Sequence, residues 1–181
     1  MTDQGNIQTA QENVAAFGAK DWTRFKATLS PQSVYDEKGT QRRVQGADEV
    51  VKLSQGWAQA FPDAKGTVTS AIASGDTVVL ELTWEGTQTG PLQGPAGEFP
   101  ASGKRVKLPA VQVFTLQGGK ITETHQYFDS TTLMQQVGAF LLPRAPPANQ
   151  SSHGAPLGQA AQVTEAACPY LPGLPSASTH A

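Results

Sequence analysis

At Lys65 the spacing of apolar residues changes from the period of a helix to the period of a strand, and it keeps that second period for some sixty residues. Upstream, Ile7, Ala10, Val14 and Phe17 recur at i, i+3, i+7 and i+10, one buried stripe of an amphipathic helix. Gly18 and Lys20-Asp21 interrupt the stripe. Trp22, Phe25 and Leu29 restart it as a short second helix, stopped by Ser30-Pro31. Ser33 to Asp36 reads as a short strand. Gly46 then opens a third helix, with Asp48 and Glu49 in its first turn near the positive dipole end, Val50, Leu53, Trp57 and Phe61 on its apolar face, and Pro62 as its stop. Downstream of Lys65, residues 65–73 and 77–86 read as strands joined across Ser74-Gly75-Asp76. Val78, Leu80, Leu82 and Trp84 share one parity and Val79, Glu81, Thr83 and Glu85 the other, a half-buried strand. A Gly/Pro-rich loop over 86–103 precedes a long hairpin, 104–117 and 120–128, around Gly118-Gly119. A last helical turn or two carries Leu133, Met134 and Val137. Three helices followed by a four-to-five-stranded antiparallel sheet make an α+β fold. A curved sheet wrapped on helices leaves a cone-shaped cavity, the kind of apolar pocket small ligands use.

Composition decides where this pattern ends. After Leu141 the sequence holds seven of the 13 prolines and nine alanines but only two charged residues, Arg144 and Glu165. Proline and small polar residues cannot bury enough apolar area to offset the entropy of ordering, so 142–181 is expected to be a flexible Pro/Ala-rich tail beside a domain of residues 1–141. The other reading of the tail takes its CPYLPGL stretch as a strap over a groove. A net charge of −2 with no basic block lacks the electrostatic footprint of nucleic-acid binding. One cysteine and three scattered histidines argue against a disulfide or a thiolate or histidine metal site, and no metal or other cofactor is expected. The opening MTDQGNIQTAQEN has neither a basic start nor an apolar run, and no stretch approaches the ~20 apolar residues of a membrane span. The expectation is a soluble cytoplasmic domain.

The strings DWTRFKATLSPQSVYDEKG, GADEVVKLSQGWAQAFPD, ASGDTVVLELTWEGTQTG and GKITETHQYFDSTTLMQQVG together resemble the SnoaL-like polyketide cyclases of the nuclear-transport-factor-2-like superfamily. The most specific pieces are AFPD at 60–63, the G-x-x-x-G of Gly86 and Gly90, and GKI…D…L…Q-x-G at 119–138. The resemblance covers residues 7–141. It implies a cone-shaped α+β barrel, a homodimer joined through the outer face of the sheet, and cofactor-free chemistry on a bulky organic substrate. Family cyclases close a ring by aldol condensation, with an acid/base carboxylate and a nearby histidine on the last hairpin. Counting from the GKI turn, the histidine position falls on Gln112 and the aspartate position on Gln126. Neither amide titrates near neutral pH, so the two suit holding a carbonyl or hydroxyl better than moving a proton.

The acid/base role would then fall to Asp129, His125 or Asp36. Asp129 immediately precedes STTLMQQV and is also placed to cap that helix. His125 depends on the hairpin turn: a two-residue turn sets it opposite Gln112, whereas a three-residue bulged turn puts Gln126 there. The resemblance favours the second register, which turns His125 and Tyr127 toward the outer face. Asp36 and Tyr35 end the first strand, where alternation lets only one of them face inward. Gln112, Gln126 and Tyr127 are candidate donors to a ligand carbonyl. Trp57 and Trp84 are core residues or pocket walls, and Phe99 suits the lip of the cavity. Three functions follow: a cofactor-free cyclase or isomerase-type enzyme acting on a hydrophobic carbonyl- or hydroxyl-bearing molecule, a small-molecule binder that has lost the family's chemistry, and an interaction domain whose pocket is filled by side chains.

Overall fold

A computed structural model describes residues 2–94 and 97–139. The expected tail lies outside the described residues. Helix α1 (Asp3–Ala19) begins where Thr2 accepts a hydrogen bond from Gly5 N and ends at Lys20 in the left-handed region. Asp21 caps α2 (Trp22–Thr28) in the same way, accepting from Arg24 N at 3.0 Å. Strand β1 (Leu29–Glu37) starts four residues earlier than the apolar spacing indicates, because Pro31 and Gln32 lie in an exposed stretch without a burial signal. A four-residue turn, 38–41, leads into β2 (Arg42–Gln45), whose basic pair hid it from a hydrophobic pattern. Helix α3 (Ala47–Ala60) buries Ala47, Val50, Ser54 and Ala60.

The chain then runs β3 (Lys65–Ser74), β4 (Thr77–Thr87), a small hairpin of β5 (Leu92–Gly94) and β6 (Gly97–Phe99), β7 (Arg105–Gln117), β8 (Lys120–Phe128) and α4 (Ser130–Val137). The large sheet has six strands in the order β2-β1-β8-β7-β4-β3, one or two more than expected, and β1 runs parallel to β8 while its other neighbours are antiparallel. The β5–β6 hairpin occupies what the Gly/Pro content marked as loop. No described helix is long and apolar enough to cross a membrane.

The sheet curves over the helices, and two apolar clusters hold it there. In one, Ala10, Val14, Phe25 and Val50 meet Val78, Leu80, Leu82 and Phe114. Leu80 and Phe114 are wholly buried, each contributing about 2–3 kcal/mol of apolar burial. In the other, Phe61, Leu92, Val106 and Leu108 pack with Leu133 and Val137 of α4.

Candidate functional site

Between the two clusters the inner face of the sheet and the helices enclose a cavity of about 110 Å³. Its walls are largely apolar, including Val14, Phe17, Phe25, Phe61, Leu108 and Leu133. Trp84 and Trp57 line it as well: Trp84 meets Phe17 edge-on at 5.1 Å, and Trp57 stacks on Phe61 at 6.1 Å. One row of its polar groups comes from three neighbouring strands. Glu37 is the register partner of Gln126, and Gln126 of Gln112, so the three form one row across β1, β8 and β7. Tyr35, two residues before Glu37, faces the same way and lines the cavity.

The hydrogen bonds along this row are unequal. The Tyr35 hydroxyl donates to Gln126 Oε1 at 3.5 Å, the long limit of such a bond. Burial, reinforced by the Glu37 charge and partly offset by Arg42, raises the Tyr35 phenol well above its usual range, so it remains a donor. Gln112 is only 5% exposed, and its Oε1 is buried with no partner. Glu37 is 1% exposed and heavily bonded: Oε1 accepts from Thr40 Oγ1 and from Arg42 at 3.0 Å, and Oε2 accepts from Trp57 Nε1 at 2.9 Å. A second cavity-lining carboxylate, Glu85, lies at the rim and pairs with Lys107 at 3.2 Å.

The three sequence candidates for proton transfer do not line this cavity. Asp36 points to the other face of β1 and pairs with Lys38 and, at 3.1 Å, with Arg43; the hydrogen bond from Lys38 is the main cause that lowers its carboxyl below the usual range. His125 faces outward, its Nε2 3.1 Å from Glu123 Oε1. Asp129 caps α4, accepting from Thr131 N at 2.9 Å and from Thr132, and these bonds hold its carboxyl low. Tyr127 follows His125 outward and is 43% exposed, and Phe99 packs into the cluster around Phe61 instead of lining the cavity. Gln112, Gln126, Tyr35, Trp57 and Trp84 are brought together. Glu37 was missed, although strand alternation pointed to it: once Tyr35 faces inward, the residue two further on must do so too.

The hairpin register has an unexpected cause. Gly118 and Gly119, at φ of 56° and 75°, make a two-residue turn that pairs Gln117 with Lys120. A bulge then adds Thr122 to β8, so that Gln126 and not His125 ends opposite Gln112. The bulge is in the strand, past the turn where it was expected.

A SnoaL-like polyketide cyclase family model matches residues 7–137. The chain belongs to this family. A candidate SnoaL-like polyketide cyclase from Jannaschia sp. CCS1 is 25% identical, with a TM-score of 0.69 over 76% of this chain and 94% of that one. AclR, a candidate hydroxylase from Streptomyces galilaeus, is 28% identical, with a TM-score of 0.66 over 81% of this chain and 87% of that one. A Catenulispora acidiphila protein of ketosteroid isomerase-like fold, solved with trimethylamine, shares the fold at 15% identity and a TM-score of 0.62, over 72% of this chain and 92% of that one. No curated protein matches the sequence. The motifs that carry the SnoaL-like resemblance have mechanical roles here. A Cβ on Gly90 would lie 2.1 Å from Gln59 O, so the glycine lets the segment that follows β4 pass the end of α3. Asp63 of the AFPD string binds the same strand end, accepting from Thr87 N at 2.6 Å and Thr87 Oγ1 at 2.8 Å.

Proposed function

We propose that the cavity binds a hydrophobic small molecule bearing a carbonyl or hydroxyl group, of the polyketide kind that the family name implies, and that any reaction on it runs without a metal or other cofactor. The observation that carries this reading is the Gln112 carboxamide, buried in the cavity wall with its oxygen unpartnered. A buried acceptor without a partner costs about 1–3 kcal/mol, and a ligand hydroxyl that donates to Gln112 Oε1 recovers that cost. Tyr35 and Gln126 add a second polar contact, while Trp57, Trp84 and the phenylalanines provide the apolar walls. In this reading the amides orient the ligand.

The reading includes a cytoplasmic homodimer. Among the described residues Ile72 and Tyr127, 64% and 43% exposed, are the large apolar side chains most open to solvent, and Tyr127 lies on the outer face of the sheet beside Val111 and Val113.

Titration with a hydroxyanthraquinone, followed by quenching of tryptophan fluorescence, tests the pocket, because two of the three tryptophans line it. Saturable quenching that disappears in Leu108→Trp, which fills the cavity, is the expected result. Quenching unchanged by Leu108→Trp would sink the pocket reading.

A further inference from the structure

Glu37 is the deeply buried carboxylate of the cavity, and its acceptor positions are nearly all occupied. An ionised carboxylate offers about four lone-pair positions. Thr40 and Arg42 occupy two on Oε1, and the Trp57 indole occupies one on Oε2. The open position is therefore on Oε2. Glu37 and Trp57 both line the cavity, and Oε2 is the carboxylate oxygen on the Trp57 side. Gln112 is two strands away in the same row, about 10 Å between backbones at the usual strand spacing. That gap suits a ligand carbonyl and the carbon beside it.

We propose that Glu37 Oε2 is the proton acceptor for a carbon acid held in the cavity, with Gln112 Nε2 donating to the carbonyl oxygen. This rests on the small-molecule reading above and gives the site the proton-transfer group that Gln112 and Gln126 cannot supply. In the step, Oε2 takes the proton from the carbon next to the carbonyl. The C–H bonding pair becomes a C=C bond, and the carbonyl π pair moves onto oxygen. The enolate oxygen is stabilised by N–H donation from Gln112 Nε2. Protonated Glu37 then returns its proton, either to the carbon or to the alkoxide formed when the enolate attacks a second carbonyl. No oxidant or reductant enters. Arg42 and Thr40, both on Oε1, are positioning residues that leave Oε2 to the ligand. Trp57 binds Oε2 from the side and aims it into the cavity.

The test uses the full chain and β-tetralone, a bicyclic ketone whose α-hydrogens exchange with solvent. Binding is read by tryptophan quenching and exchange by NMR in D2O. Wild-type protein should accelerate exchange above the buffer rate. Glu37→Gln should lower the acceleration about a hundredfold while β-tetralone still quenches. Because removing the charge opposite Arg42 can unfold the protein, Glu37→Asp is the second variant. It keeps the charge but withdraws the oxygen by about one bond length, and should also cost about a hundredfold. Wild-type exchange rates in Glu37→Asp overturn the assignment. So does wild-type protein that binds β-tetralone without accelerating exchange, which leaves the pocket reading intact. Neither quenching nor exchange in wild type sinks the pocket reading, and the Glu37 assignment with it.

Discussion

Asp36 and Glu37 are adjacent acids on one strand, and the sheet sends them to opposite sides. The inner row that crosses the sheet reads Ala71, Leu80, Gln112, Gln126, Glu37 and Arg42. The outer row, one residue away on every strand, reads Ile72, Val79, Val113, His125, Asp36 and Arg43. The outer row holds the histidine and Asp36, whose cationic partners Lys38 and Arg43 are open to solvent, where ion pairs are individually worth little. The inner row carries the same number of charges without the histidine, but its carboxylate, Glu37, is desolvated and its ion pair therefore stronger. Residue types that suggest acid/base chemistry are thus concentrated on the face away from the cavity. Of the inner row, the polar groups that line the cavity are two amides and one carboxylate. Parity, more than composition, separates a cavity-lining side chain from one on the outer face.

The largest contrast should appear between the two acids. Glu37→Gln leaves Arg42 without its charge partner and should cost about 3 kcal/mol in urea denaturation, at the low end for a buried pair because Arg42 is one-third exposed. Asp36→Asn should cost less than about 1 kcal/mol. Equal costs would break the distinction between the faces.

The next contrast is smaller and opposite in sign. Gln112→Leu removes an unpartnered buried amide and should stabilise the fold by about 1 kcal/mol while weakening ligand binding. Its neighbour Val113→Lys should leave ligand binding unchanged and instead shift the protein from dimer to monomer in sedimentation velocity. If Val113→Lys abolished ligand binding, the two faces would not be independent.

Much of the fold could be read from the sequence because its signals are periodic. The stripe Ile7, Ala10, Val14, Phe17 gave α1, and the alternation from Val78 to Trp84 gave β4. The strand β2 lacked that signal, since Arg42 and Arg43 follow no apolar alternation, and β5–β6 was masked by its glycines and prolines. The site was less legible for a different reason. Gln112 and Gln126 could be placed by motif, but the direction in which His125 points depends on the single extra residue Thr122, and a bulge leaves no compositional mark. Glu37 was obscured by its neighbours, because Asp36, Glu37 and Lys38 together look like a solvated strand end. Its burial depends on Arg42, Thr40 and Trp57, which come from β2, the turn before it and α3, contacts that no local pattern encodes.

The smallest predicted effects are pH limbs, and they too should divide by face. On the inner side the Tyr35 phenol is raised by burial, so the folded protein keeps a proton that the unfolded chain gives up. Stability is then fully present below the unfolded phenol's ~10 and declines as pH rises past it. Tyr35→Phe should flatten that alkaline limb. On the outer side Asp36 is lowered, first by the Lys38 hydrogen bond and then by Arg43. Its contribution is present above the unfolded carboxyl's ~3.9 and is lost as pH falls through the lower folded value. Asp36→Asn should flatten the acid limb by less than about 1 kcal/mol. Salt distinguishes the two further: at 1 M the screening length is about 3 Å, so the acid limb should shrink while the alkaline limb, set by desolvation, persists. Thermal melts of wild type and both variants across pH, at low and high salt, measure all four cases. An alkaline limb as salt-sensitive as the acid one would mean that solvent reaches Tyr35 and that the cavity is not closed where the polar row begins.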